Sequence, residues 1–175
     1  MYGTPLPPSA EAATAAAGSG PHGGGKADQP WALRMLESRV SGRWAVTVAI
    51  VRIVVGAFFI LASTSKFPFS SYYQAELAAF VRWGFPDSAL IVILVGLLEL
   101  GCGALLLLGL GTRLATAGLA VTMVGAICTA GIHEGGYFHL GLAPTMLLVA
   151  LALTWTGAGA VSLDSRVAAK VEGKR

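Results

Sequence analysis

Residues 88–110 read SALIVILVGLLELGCGALLLLGL, with Glu99 as the one charged residue in the run. A helix rises about 1.5 Å per residue, so a stretch of this length crosses the roughly 30 Å hydrocarbon core of a bilayer. Three more apolar stretches flank it, at about 44–63, 114–132 and 139–156. The last is a little short and is expected to gain a turn or to tilt less. Composition agrees: 55% of the 175 residues are hydrophobic, 12% are charged, and the mean hydropathy is +0.70. Soluble domains carry about 25% charged residues. The expected fold class is therefore an all-α membrane protein, a bundle of four transmembrane helices with a short amphipathic N-terminal surface helix.

Punctuation marks the same boundaries. Pro86, Asp87 and Ser88 read as a helix start, with Asp87 or Ser88 as N-cap. Gly109-Leu110-Gly111 ends the second span and leaves a tight turn at Thr112 and Arg113. Gly135-Gly136 separates the third and fourth spans, and Gly157 and Gly159 close the fourth. Such short links make sequential spans antiparallel neighbours.

Outside the spans the chain changes character. Residues 1–29 are rich in Gly, Ala, Ser and Pro and read as a disordered tail rather than a signal peptide, since no compact apolar core is present. In residues 30–42, Trp31, Met35, Leu36 and Val40 share one helical face, while Arg34, Glu37, Ser38 and Ser41 share the other. That pattern suits a helix lying on the membrane surface. Residues 166–175 form a basic tail. Lys26, Arg34, Arg39, Arg43, Arg113, Arg166, Lys170, Lys174 and Arg175 fall on the side of the termini, against Lys66 and Arg82 opposite. The positive-inside rule then expects a plasma-membrane protein with both termini in the cytoplasm. The basic residues make no single face, so no nucleic-acid surface is expected. The link 64–87 carries Phe67, Phe69, Tyr72, Tyr73, Phe80, Trp83 and Phe85 and is expected along the outer interface, capping the bundle or lining the mouth of a ligand site.

Two sets of polar residues invite chemistry. Arg52 and Glu99 each sit near the middle of a span, where an unpaired charge costs about 2.5 kcal/mol or more. Counting residues places Arg52 about 12 Å and Glu99 about 16 Å from the same membrane face. An intramembrane ion pair between them is expected, serving a proton path, a polar ligand site or simply the register of two helices. Lys66, His133, Glu134 and His139 form the second set, expected together near the outer face. The two histidines flank a Gly-Gly turn and can shuttle protons near neutral pH. A third strong ligand is missing, so neither a haem nor a metal is expected there. Cys102 and Cys128 lie at different depths and read as packing residues. Gly118, Thr122, Ala126 and Ala130 make a small-residue stripe for close helix contact.

These residues together resemble the DoxX family of small bacterial membrane proteins. The resemblance runs from Arg52 and Gly56-Ala57-Phe58-Phe59 to Lys66, through Gly84-Phe85-Pro86, Leu98-Glu99-Leu100-Gly101 and Leu108-Gly109-Leu110-Gly111-Thr112-Arg113, to Gly157-Ala158-Gly159-Ala160-Val161-Ser162-Leu163-Asp164. It covers about residues 43–165. The Ala62-Ser63-Thr64-Ser65 run departs from it, since the family has a Gly shortly before its Lys. The resemblance implies a four-helix membrane protein. It further implies a subunit of a membrane redox complex, because some members link sulfur-compound oxidation to the quinone pool and actinobacterial relatives sit in complexes handling thiol and oxidative stress. The chain holds no flavin, nicotinamide or haem motif, so no intrinsic cofactor is expected. Quinone is the expected ligand, and electrons come from another membrane or membrane-associated subunit. Any enzymatic role is at most that of a subunit in a quinone-linked oxidoreductase. A non-catalytic scaffold or assembly subunit is the alternative, and a small transporter or lipid-binding protein the third.

Overall fold

The computed structural model describes residues 39–159 together with residues 162–164, 166 and 170. The expected tail, the surface helix up to residue 38 and most of the basic C-terminal stretch lie outside the described residues. Five α-helices follow in order: α1 (Arg43–Ser63), α2 (Tyr73–Arg82), α3 (Ala89–Leu108), α4 (Thr112–Ala126) and α5 (Ala143–Thr156). Four helical runs are long and apolar enough to cross a membrane: Arg43–Lys66, Ala89–Leu108, Thr112–Gly131 and Phe138–Thr156. The first extends α1 through a 3-10 turn, Thr64–Lys66. The third and fourth include π-helical turns at Ile127–Gly131 and Phe138–Leu142. Pro144 stands at the start of α5. Its ring crowds the carbonyl four residues earlier and it donates no N–H, so a widened turn just before it is the local answer.

α1 packs along α3, α3 against α4, and α4 against α5. Val55, Phe59, Cys102, Leu106, Ala115, Leu119 and Leu153 make the shared core. The α1–α3 crossing is set by two glycines. A Cβ on Gly56 would fall 2.8 Å from the Gly103 carbonyl oxygen, and one on Gly103 would fall 2.9 Å from the Gly56 oxygen. Only bare backbones come so close, as small-residue membrane crossings require. In the expected small-residue stripe of α4, Gly118 faces Cys102 of α3, whose sulfur would lie 2.8 Å from an added Cβ. Away from the core, each span turns large apolar side chains outward, among them Val54, Leu61, Leu94, Leu114, Val121 and Leu148. That belt has to be covered by lipid, because water would not tolerate it.

α2 adds a helix to the 64–87 link, which was expected only to lie along the outer interface. Tyr73, Leu77 and Phe80 recur at helical spacing, and Tyr73 and Phe80 bury themselves against Val92 of α3. The aromatic ring pairs Phe80–Trp83 and Phe80–Phe85 fold the end of α2 back on itself.

Candidate functional site

The structure separates Arg52 from Glu99. The Gly56–Gly103 crossing sets the register between α1 and α3, and it places Arg52 beside Gly109, the residue that ends α3. Glu99 lies ten residues back along the same helix, about 15 Å away along its axis. The expected ion pair is thus replaced by two distinct centres. Counting from span ends assumed that both helices begin at one depth, and the glycine crossing offsets them.

At the first centre Arg52 is 1% exposed, and its Nη1 donates to the Ala158 carbonyl at 3.1 Å. Asp164, also buried, is the carboxylate that acts on Arg52 electrostatically. Asp164 does a second job. Its Oδ1 accepts the Gly111 N–H at 2.8 Å, and its Oδ2 accepts the Thr112 N–H at 3.2 Å. These are free donors at the start of α4, where a carboxylate is also favoured by the helix dipole. The Asp164 N–H in turn donates to the Gly109 oxygen at 3.0 Å. Gly109 has φ +67°, and an added Cβ there would run into Arg52 Nη1 and come within 2.8 Å of the Ser162 Cβ. Backbone and side chains around Arg52 therefore form a closed knot joining α1, the α3–α4 turn and the segment after α5.

The second centre is open. Lys66 Nζ lies 3.0 Å from Glu99 Oε2, with both side chains largely buried at 13% and 7% exposure. Next to Lys66, the Ser65 hydroxyl donates to Glu76 Oε1 of α2 at 2.6 Å. These four residues line a cavity of about 940 Å³ that draws walls from all five helices. The volume falls within the range of small-molecule sites. Phe58, Val95, Leu98, Met123 and Met146 make most of the wall apolar, while Tyr72, Arg82, Trp83, Thr122, Thr129 and His139 add to the polar part.

The second expected set is only partly assembled. Lys66 and His139 share the cavity, whereas His133 and Glu134 are not among its lining residues. The His139 ring meets Trp83 edge-on at 5.3 Å and Phe138 at 5.1 Å. His133 Nδ1 lies 2.8 Å from the Thr129 carbonyl of its own helix. Among the described residues no ring contact joins the two histidines. Glu134 Oε1 instead takes Arg82 Nη2 at 2.8 Å and Nε at 2.9 Å, tying the end of α2 to the turn before α5. The Arg82 hydrogen bond holds the Glu134 carboxyl below the usual carboxylate range. No group of three His, Cys, Asp or Glu side chains that could hold a metal comes together among the described residues. Both cysteines are free, Cys102 buried and Cys128 exposed.

Trp83 is among the aromatic residues expected to cap the bundle or line a ligand mouth, whereas Glu76, Ser65 and Arg82 line the cavity without being singled out for it by the sequence. Their signal is the Tyr73/Leu77/Phe80 spacing, which marks a helix and places Glu76 and Arg82 on it.

Comparison with known proteins agrees with this architecture. The family model named DoxX matches residues 47–132. The uncharacterized membrane protein Rv3486 of Mycobacterium tuberculosis is 34% identical over 134 residues, covering 69% of this chain and 81% of the relative. No solved structure matches the chain significantly.

Proposed function

The chain belongs to the DoxX family of membrane proteins, and from the cavity it carries we propose that it is a membrane subunit that receives a quinone and couples it to a partner's oxidation reaction. One observation carries this reading: a largely apolar cavity of about 940 Å³, set among membrane spans, has the largely buried Lys66–Glu99 pair in its wall. A quinone has matching halves. Its ring and isoprenoid tail suit the Phe58, Leu98 and Met146 walls, and its carbonyl oxygens accept hydrogen bonds of the kind an ammonium gives.

Reduction of a quinone to a quinol consumes two electrons and two protons. Lys66, Glu99 and His139 can hold and pass protons to the ring oxygens. The electrons come from a redox-active partner protein, docked to this subunit in the plasma membrane. The termini are assigned to the cytoplasm on the distribution of basic residues. Within this account Arg52 is a structural residue and takes no part in the chemistry.

Purification of the tagged full chain from its native membrane in mild detergent tests the proposal. A co-purifying redox enzyme whose quinone reduction falls at least tenfold in Glu99→Gln, with the complex intact, is the expected result. A complex that loses its partner in Glu99→Gln points instead to a scaffold. Partners without any redox centre contradict the quinone reading.

A further inference from the structure

The hydrogen bonds of the cavity wall single out one pair. The Ser65 hydroxyl is taken up by Glu76 Oε1 at 2.6 Å and by the Ala62 carbonyl at 3.1 Å. Thr122 and Thr129 turn their hydroxyls to carbonyls of their own helical run, Leu119 at 2.8 Å and Gly125 at 2.7 Å. Arg82 is held by Glu134. Lys66 and Glu99 differ. Among the described residues, the 3.0 Å approach of Lys66 Nζ to Glu99 Oε2 is the one polar contact made by either side chain. An ammonium has three donors, and a carboxylate has about four lone-pair sites. Most of that capacity is unused, in two side chains that are largely buried and that both line the cavity. Buried polar capacity without partners is costly, so a ligand that supplies partners gains affinity there.

Resting on the quinone reading, we infer that this pair discriminates between the two redox forms of the ligand: the cavity holds the quinol more tightly than the quinone, and Glu99 sets the preference. The reason lies in donors and acceptors. A quinone has two carbonyl oxygens and no O–H. It takes a hydrogen bond from Lys66 and offers the Glu99 carboxylate nothing. A quinol hydroxyl serves both residues, since its oxygen accepts from Lys66 and its O–H donates to Glu99. A hydroxyl bonded to a carboxylate is charge-assisted and about twice as strong as a neutral pair. The apolar Phe58, Leu98 and Met146 walls meet the same ring and tail in either form, so they add affinity without preference. Linkage gives the preference a consequence. Reduction adds two electrons, from the partner's reduced centre, and two protons from the medium, one to each ring oxygen. Tighter binding of the product makes the bound quinone easier to reduce. A tenfold preference raises the midpoint potential of a two-electron couple by about 30 mV.

Titration calorimetry of the full chain in lipid nanodiscs is the test. Menadione is used in one series and menadiol, kept reduced by dithionite without oxygen, in the other, with empty nanodiscs subtracted. The wild type is expected to bind menadiol about tenfold more tightly than menadione, or better. Glu99→Gln, which replaces the charged acceptor by a neutral one, is expected to bring the ratio below about threefold by weakening menadiol alone. Lys66→Met/Glu99→Met leaves no buried charge unpaired and is expected to abolish the preference. It decides the matter should Glu99→Gln fail to fold. Equal affinities in the wild type overturn the inference and leave the quinone reading standing, and a preference that persists undiminished in the double variant does the same. Heats equal to those of empty nanodiscs with both compounds overturn both. A menadiol preference in a protein that co-purifies with no redox partner sustains the inference and sinks the coupling to a partner alone.

Discussion

Gly109 shows how one residue is constrained twice. Its φ of +67° is costly for any residue with a Cβ, and that Cβ would strike Arg52. Gly109→Ala is therefore expected to lower stability by at least the about 1–2 kcal/mol of left-handed backbone, read as a drop in thermal midpoint in a fixed detergent. A midpoint equal to wild type would contradict the packing around Arg52. Lys66 and Glu99 allow a paired comparison. Lys66→Met leaves a buried carboxylate without its cation, a loss of up to about 3–5 kcal/mol. Lys66→Met/Glu99→Gln removes both charges and is expected to recover most of that stability. A double variant no more stable than the single one would mean that the two residues do not act on each other. At this scale the sequence was informative about which residues mattered and silent about their partners. A charge inside a span stands out because insertion is costly. Its depth, however, depends on how two helices are offset, and that offset is made by the bare contact of Gly56 with Gly103.

At the scale of elements, the four spans were legible because twenty or so apolar residues bounded by Gly or Pro leave little choice. α2 was not. Its 10 residues are too short and too mixed to stand out, and its aromatic side chains suit an interface equally well. The π-helical turns also left no mark beyond Pro144, yet one of them holds His139 beside the cavity. The α1–α3 crossing predicts that Gly103→Val wedges the helices apart, at about 1–3 kcal/mol for an overpacked contact. Retention of wild-type thermal stability would refute it. The Arg82–Glu134 pair predicts a pH response in α2. A carboxylate held below its usual range contributes above the unfolded value, and its contribution fades as pH falls through the lowered folded value. Amide protection in α2, corrected for intrinsic exchange, is expected to fall on acidification through that range. Arg82→Gln should lower protection already at neutral pH and remove the acid-dependent step, and a profile equal to wild type would show that Glu134 does not latch the helix.

For the whole molecule, two polar centres divide the labour. The Arg52 knot fastens the segment after α5 to the α3–α4 turn through the Ala158 carbonyl and the Asp164 carboxylate. The Lys66–Glu99 centre faces a cavity instead. Arg52 and Glu99 stood out together from their depth; Arg52 meets the Ala158 carbonyl and Asp164, whereas Glu99 meets Lys66 at the cavity. The central claim is that the cavity accepts a quinone, and a photoreactive naphthoquinone tests it most directly. The full chain in nanodiscs is irradiated with the probe and the labelled peptides are mapped. Labels confined to the cavity walls at 58–66, 72–85, 95–99, 122–129 and 138–146, and competed away by unmodified menadione, are the predicted result. Labels spread over the lipid-facing side chains such as Val54, Leu114 and Leu148, with no competition, would contradict it.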